Sequence, residues 1–280
     1  MTTVSTQISE RVPELHQGGE PSSSVDASAE ALITVSGLGK SYEVKTRGHK
    51  SSTSTILEGL DFEIARGEFV SVIGPSGGGK TTLLNLLAGL TEPTSGSIQV
   101  AGKAVKGPGA DRGVVFQQDA IFPWRTVQRN VEYGLEVRGV PRAERREQVQ
   151  RFIDMVGLTD YADYLPKQLS GGMKKRVAIA TVLANKPDVL LMDEPFGALD
   201  YSTRVHLQDE LIEIWQQNRI TTIFVTHDIE EAVYLSDRIL VLSDGHLAED
   251  FRVPFGRPRT PDIRMSSEIQ DAKAHLWGYL

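Results

Sequence analysis

One stretch constrains this chain more than any other: GPSGGGKTT at residues 74–82. It carries Gly74, Gly79, Lys80 and Thr81 in the fixed places of the pattern G-x-x-x-x-G-K-[ST]. Its context matters more than the match. FVSVI at 69–73 reads as a strand leading in, and Leu83, Leu84, Leu86, Leu87 and Leu90 recur at helical spacing leading out. Strand, loop and helix in that order are what a phosphate-cradling loop requires. Glycines let backbone N–H groups turn inward around an anion, and the new helix offers its unpaired N–H groups and positive dipole end. Gly74, Pro75, Ser76, Gly77, Gly78, Gly79, Lys80, Thr81 and Thr82 are thus the candidate phosphate-binding residues. Lys80 would reach the outer phosphates and the Thr81 hydroxyl would hold Mg²⁺. The chain is expected to bind a nucleoside triphosphate.

Composition removes several function classes. There is no cysteine, hence no disulfide framework or thiolate metal site, which suits a reducing compartment. Lys+Arg number 30 against Asp+Glu 37, a balance that disfavours a nucleic-acid partner. No run of 18 apolar residues appears, so no membrane span is expected, and the N-terminus lacks the pattern of an export signal.

Residues 1–30 are rich in Ser, Thr, Gly, Glu and Pro and are expected to be a disordered tail. Weak alternation at 32–35 reads as a strand, the polar stretch 43–55 as a long exposed hairpin loop, and 57–64 as a returning strand. These early strands look antiparallel. From about 119 to 186 strand signals vanish, and Arg142, Arg145, Arg146 and Arg151 alternate with Glu on a helical pattern. This predicts an inserted helical subdomain whose arginines form a solvated face. Apolar runs at 189–192, 221–226 and 238–242 then alternate with helical patterns at 201–218 and 229–235. Such alternation predicts an α/β fold with a mainly parallel sheet. The expected layout is a nucleotide-binding domain over 31–250 and a Pro- and Arg-rich C-terminal extension over 251–280.

Four further stretches add chemistry. Asp193 and Glu194 end an apolar strand, where open α/β sheets place their ligands. Asp193 is a candidate Mg²⁺ ligand, and Glu194 a candidate base for an attacking water. Gln117 ends another strand, and its amide can bind both metal and water. His227 follows the strand at 221–226 and could hold the γ-phosphate and the water in line. The stretch LSGGM at 169–173 opens a helix, with Ser170 as N-cap and Gly171 and Gly172 exposing amides. It is a second anion cradle, more than one nucleotide needs from one chain.

This set resembles the ATP-binding-cassette (ABC) ATPases over about residues 32–247, with every motif in order. Residues 74–82 match their Walker A loop, Gln117 the Q-loop, 169–173 the signature motif, and 189–194 Walker B. Residues 198–200, ending in Asp200, match the D-loop, and His227 the switch histidine. Tyr42 falls where the family stacks an aromatic ring on adenine. The stretches 107–117, 122–124, 194–200 and 226–232 resemble more closely the importer ATPases for nitrate, sulfonates and taurine. The resemblance implies a P-loop NTPase (RecA-like) core with an antiparallel β subdomain and an inserted α-helical subdomain. It implies hydrolysis of ATP with Mg²⁺, and a head-to-tail dimer in which Ser170, Gly171 and Gly172 of a second copy close each site, with Asp200 a further nucleotide-binding candidate. It also implies transmembrane permease subunits, an extracytoplasmic solute-binding protein, and a place on the cytoplasmic face of the membrane. Phe122, Trp124 and Arg125 are candidates for the permease contact, with ordinary packing at a subdomain joint as the alternative. Lys175 stands where the family usually has Gln, and Thr181 where it has Arg; neither is expected to touch a catalytic position.

Two other functions fit parts of the pattern. A soluble ATPase of the same class acting on DNA or ribosomes would carry coiled-coil insertions or two cassettes, and this chain shows one cassette and no sustained heptads. A regulator that binds nucleotide without hydrolysis would not need Glu194 and His227.

Overall fold

The computed structural model describes residues 30–44, 52–118, 120–197 and 199–280. The expected tail at 1–30, apart from Glu30, lies outside the described residues, as do residues 45–51 of the expected 43–55 loop, Asp119 and Ala198. The chain runs β1 (Ala31–Val44), β2 (Ser52–Ala65), β3 (Phe69–Ile73), α1 (Lys80–Ala88), β4 (Ser95–Val100), β5 (Lys103–Ala104), β6 (Arg112–Val115), α2 (Val127–Val137), α3 (Arg142–Met155) and α4 (Gly171–Leu183). It continues through β7 (Val189–Asp193), α5 (Tyr201–Asn218), β8 (Thr221–Val225), α6 (Ile229–Leu235), β9 (Arg238–Ser243), β10 (His246–Arg252) and α7 (Ser267–Trp277).

Two sheets form. One is antiparallel, in the order β2-β1-β4-β5, and the other has six strands in the order β10-β9-β3-β8-β7-β6. In the second sheet only β10 runs against its neighbour. Every residue of β3, β7 and β8 is buried, which is why apolar residues occupy both faces of these strands instead of alternating with exposed polar ones. Alternation still sorts the two faces. Val70, Val72, Leu191, Ile223, Val225, Leu240 and Leu242 face α1 and the antiparallel sheet, where Leu83, Leu84, Leu86 and Leu87 meet them. Phe69, Ile73, Leu190, Met192, Phe224, Ile239 and Val241 face the remaining helices, through Val131, Ile153, Val177, Leu211 and Trp215. Each fully buried side chain of this size contributes roughly 1.5–3 kcal/mol.

The inserted region is helical as its sequence predicts, with α2, α3 and α4 packed on the second cluster. Val149 and Ile153 of α3 are buried while its arginines are exposed or pair with Glu132 and Glu147. The C-terminal residues are tied to the same cluster: Ile269, Ala272 and Leu276 of α7 are buried there. The stretch 43–55 is less of a loop than its composition indicates. Strand pairing continues through Tyr42↔Ser54, Glu43↔Thr53 and Val44↔Ser52. Polar side chains on both faces hid the period-2 signal there, while the antiparallel ladder still satisfies the backbone. Leu90 lies beyond α1, because Gly89 ends the helix in a left-handed cap with φ 75°.

Candidate functional site

Parallel strands put all their C-terminal ends on one edge, and register fixes which residues meet there. Val72 of β3 and Asp193 of β7 both pair with Val225 of β8, and Met192 pairs with Val115 of β6. The chain therefore leaves the sheet at one level at Gly74, Gln117, Glu194 and His227. Ligands bind at such an edge, where the strand order reverses.

The phosphate loop is shaped by close approach. A Cβ on Gly74 would lie 2.2 Å from the Leu242 carbonyl oxygen, and one on Gly79 would lie 2.5 Å from Leu57 Cδ2. Gly79 caps α1 at φ 92° and no side chain caps this helix, so its first N–H groups remain open to an anion. Lys80 is buried and Nζ donates to the carbonyls of Gly74 at 2.7 Å and Pro75 at 3.0 Å. Burial holds its ammonium below the ordinary lysine range, against the pull of Glu194 and Asp193.

The acids sit opposite. Thr81 Oγ1 donates to Asp193 Oδ1 at 3.3 Å. Burial pushes the Asp193 carboxyl up, the Thr81 hydrogen bond opposes this, and Glu194 adds a like-charge push. Glu194 has φ 41°, uncommon for a non-glycine residue, while its N–H still donates to Val225 O at 2.9 Å. That turn sends the side chain across the edge. Glu194 Oε2 accepts from Gln117 Nε2 at 3.3 Å and lies 3.4 Å from His227 Nδ1. Lys80, Thr81, Gln117, Asp193, Glu194 and His227 thus converge as the sequence reading expects. The oxygen donors of Thr81, Asp193 and Gln117 form a set suited to a hard cation such as Mg²⁺.

Ser170, Gly171, Gly172 and Asp200 group elsewhere. Ser170 caps α4 by accepting from Met173 N at 3.3 Å, and Asp200 caps α5 by accepting from Thr203 N at 3.1 Å. Hydrogen bonds from Thr203 and Ser202 pull the Asp200 carboxyl down to about 2. A Cβ on Gly171 would meet Leu199 and one on Gly172 would meet Thr203, so the two caps share one surface. Tyr42 is 43% exposed on β1, with Lys40 Nζ 4.7 Å from its ring centre. Trp124 is 72% exposed, whereas Phe122 and Arg125 pack on Tyr133, and Arg125 pairs with Glu136 at 2.8 Å. Buried Asn130 holds this turn by accepting from Phe122 N and donating to the carbonyls of Phe122, Arg125 and Thr126.

Lys175 is bonded to the segment that carries a candidate metal residue: Nζ donates to the backbone carbonyls of Phe116 at 3.2 Å and Gln117 at 3.1 Å. A lysine stem is long enough to cross from α4 to the end of β6, a reach that linear sequence does not reveal. Thr181 merely bonds back to Val177 O at 2.7 Å within α4. The sequence reading also missed Thr226 and Glu231, which bond beside His227 at 2.5 Å. Both lie in the 226–232 stretch that carries the resemblance, but the spacing D-x-x-E from Asp228 reads as a capping pattern that points to a helix start, not to a buried carboxylate.

A sequence model of the ABC transporter family matches residues 57–197. The nitrate import ATP-binding protein NrtD of Synechocystis is 51% identical over 194 residues, covering 69% of this chain and 73% of NrtD. This chain belongs to the ABC transporter family. It is an ATPase whose hydrolysis is coupled to transport, and the fold is that of the ABC cassette. The bicarbonate transport ATP-binding protein CmpD of the same organism is 43% identical over 242 residues, covering 85% of this chain and 84% of CmpD. The ATP-binding cassette MJ0796, solved as a dimer in a post-hydrolysis state with ADP and Pi, superposes with TM-score 0.69 at 32% identity. That match covers 80% of this chain and all of MJ0796. Among the described residues of this ABC ATPase, no helix is long and apolar enough to cross a membrane.

Proposed function

We propose that this ABC ATPase is the importer-type subunit that hydrolyses ATP at the sheet edge through Glu194 and His227. The observation that carries the reading is the shared oxygen of Glu194, within 3.3 Å of Gln117 and 3.4 Å of His227. Lys80 leaves the Gly74 and Pro75 carbonyls and binds the outer phosphates, while the amides at the start of α1 hold the rest. Glu194 accepts a proton from the attacking water, and His227 orients that water against the γ-phosphate. Thr81, Asp193 and Gln117 are the residues that would hold Mg²⁺. Bound there, Mg²⁺ neutralises charge on the transferring phosphoryl group. Tyr42 stacks on adenine. Ser170, Gly171, Gly172 and Asp200 of a second copy close the site from the other side.

Glu194→Gln tests the chemistry. It keeps the size and the polar contacts of the side chain but removes the base. ATP binding is expected to persist, with a trapped dimer at gel filtration, while turnover falls by about 10²-fold or more. Wild-type turnover in this variant would remove Glu194 from the mechanism.

The cargo is read from relatives. NrtD is named for nitrate and CmpD for bicarbonate, both small planar oxyanions, and we assign this importer a solute of that class. In this reading exposed Trp124 meets a cytoplasmic helix of a permease, the subunit works at the cytoplasmic membrane face, and an extracytoplasmic binding protein selects the solute. The assembled transporter in proteoliposomes tests this. ATP turnover that rises with nitrate or bicarbonate and the binding protein supports the reading; a rise only with an uncharged solute overturns it.

A further inference from the structure

His227 stands between two fixed residues. Thr226 is buried, and its N–H donates to Val72 O at 3.2 Å, directly before the phosphate loop. The Thr226 hydroxyl donates to Glu231 Oε2 at 2.5 Å and accepts the N–H of Asp228 at 3.0 Å. One hydroxyl therefore ties the residue before His227 to the residue after it. The carboxylate commits the hydroxyl proton to one direction, which leaves a lone pair facing Asp228.

The same network reaches α5. Glu231 Oε1 accepts from Gln208 Nε2 at 2.9 Å, and Asp228 Oδ2 pairs with Arg204 Nη1 at 3.4 Å. Arg204 Nη2 donates to Leu199 O at 3.2 Å, next to Asp200, the cap of α5. Arg204 and Gln208 are one helical turn apart, so both links come from one face of α5. Burial of this polar set is costly. Glu231 and Gln208 are 5% and 3% exposed, burial pushes the Glu231 carboxyl up, and Gln208 Oε1 is buried without a partner among the described residues. An apolar pair of similar size would avoid that cost, so the retained network points to placement of the loop.

We propose that Glu231 is a positioning residue for His227, acting through Thr226, and that Gln208 and Arg204 make α5 the tie between Asp200 and that histidine. The proposal rests on the reading of His227 as the residue that orients the attacking water. Displacing His227 by a fraction of an ångström leaves the phosphate loop intact and so acts on turnover before affinity.

The test is steady-state hydrolysis and ATP binding by the full chain carrying Thr226→Val, Thr226→Ser or Glu231→Gln, each with His227 and with His227→Ala. Thr226→Val and Glu231→Gln are expected to lower kcat by on the order of tenfold or more, with KM shifted by less than about twofold. Thr226→Ser restores the hydroxyl and is expected to retain turnover. In the His227→Ala background the same substitutions are expected to cost nothing further. Wild-type kcat in Thr226→Val, or an equal loss in both backgrounds, overturns the proposal. Loss of folded protein in both Thr226→Val and Glu231→Gln, seen by circular dichroism, reduces the network to structure and overturns it too. Wild-type turnover in His227→Ala alone is a different failure, that of the role given to His227.

Discussion

The ammonium of Lys175 donates to the backbone carbonyl of Gln117 at 3.1 Å. The contact joins two candidate segments, because α4 begins at the cap Ser170 and the Gln117 side chain reaches Glu194. Lys175→Met removes the donor and leaves the carbonyls of Phe116 and Gln117 without it. Loss of a hydrogen bond to a charged donor at this partly exposed site costs about 1 kcal/mol, which urea denaturation will read as a lower midpoint. Turnover should fall with it. Lys175→Gln keeps an N–H donor and should lie between the two. A midpoint unchanged in Lys175→Met would show that the contact is idle.

Asp193 gives a pH signature. Burial raises its folded pKa above the ordinary 3.8, so ionising it opposes folding. Its contribution to stability is fully present below 3.8 and is lost as pH rises through the folded pKa. Asp193→Asn removes that loss and keeps an oxygen for Thr81. Without nucleotide, the variant should melt above wild type at pH 7, and the gap should close as pH falls below 3.8. With Mg²⁺ and ATP the order should reverse, because wild type alone offers a carboxylate. Thermal melts across pH, with and without ligand, check both halves.

Much of this site could be read from the chain. The buried parallel strands β3, β7 and β8 showed as short, mostly apolar runs, and a candidate residue followed each parallel strand at the site: Gly74 after β3, Gln117 after β6, Glu194 after β7, His227 after β8. Spacing within a motif is local, so sequence carries it well. What stayed hidden was contact between motifs. Lys175 on Gln117, and Glu231 on Thr226 and Gln208, depend on how helices settle against the sheet, and no periodicity encodes that. The paired ends of β1 and β2 were missed for another reason. Their exposed Ser and Thr give no two-faced pattern, although pairing there is regular.

The phosphate loop makes a steric prediction. Gly74→Ala would bring Cβ within 2.2 Å of the Leu242 carbonyl oxygen, a contact with backbone that cannot rotate away. Gly79→Ala places Cβ 2.5 Å from Leu57 Cδ2, a side-chain end, and 3.1 Å from the Ile56 carbonyl oxygen, at a φ of 92°. Both should destabilise by about 1–3 kcal/mol. Gly74→Ala should be the worse for folding, since β9 must shift, and Gly79→Ala the worse for ATP affinity, since it tilts the first amides of α1. Denaturation midpoints and nucleotide titrations separate the two effects, and the reverse ranking in either would count against this account of the loop.

A site split between two copies has a concentration dependence. In one chain Ser170 and Asp200 share a surface built around Leu199 and Thr203, and the hydrogen bonds of both caps are made within their own helices. If a second copy supplies these caps, a monomer is a poor ATPase and the rate per chain rises with protein concentration. Ser170→Arg fills the anion cradle with a bulky side chain that faces solvent in the single chain, so it should leave folding intact and ATP binding near wild type. It should also suppress the rise in specific activity. Mixing this variant with Glu194→Gln gives a sharper readout. One of the two composite sites in a mixed dimer then keeps both a wild-type Glu194 and a wild-type Ser170, so activity should reappear that neither variant shows by itself. Turnover strictly proportional to protein into dilute solution, with no recovery on mixing, would place the whole reaction in one chain.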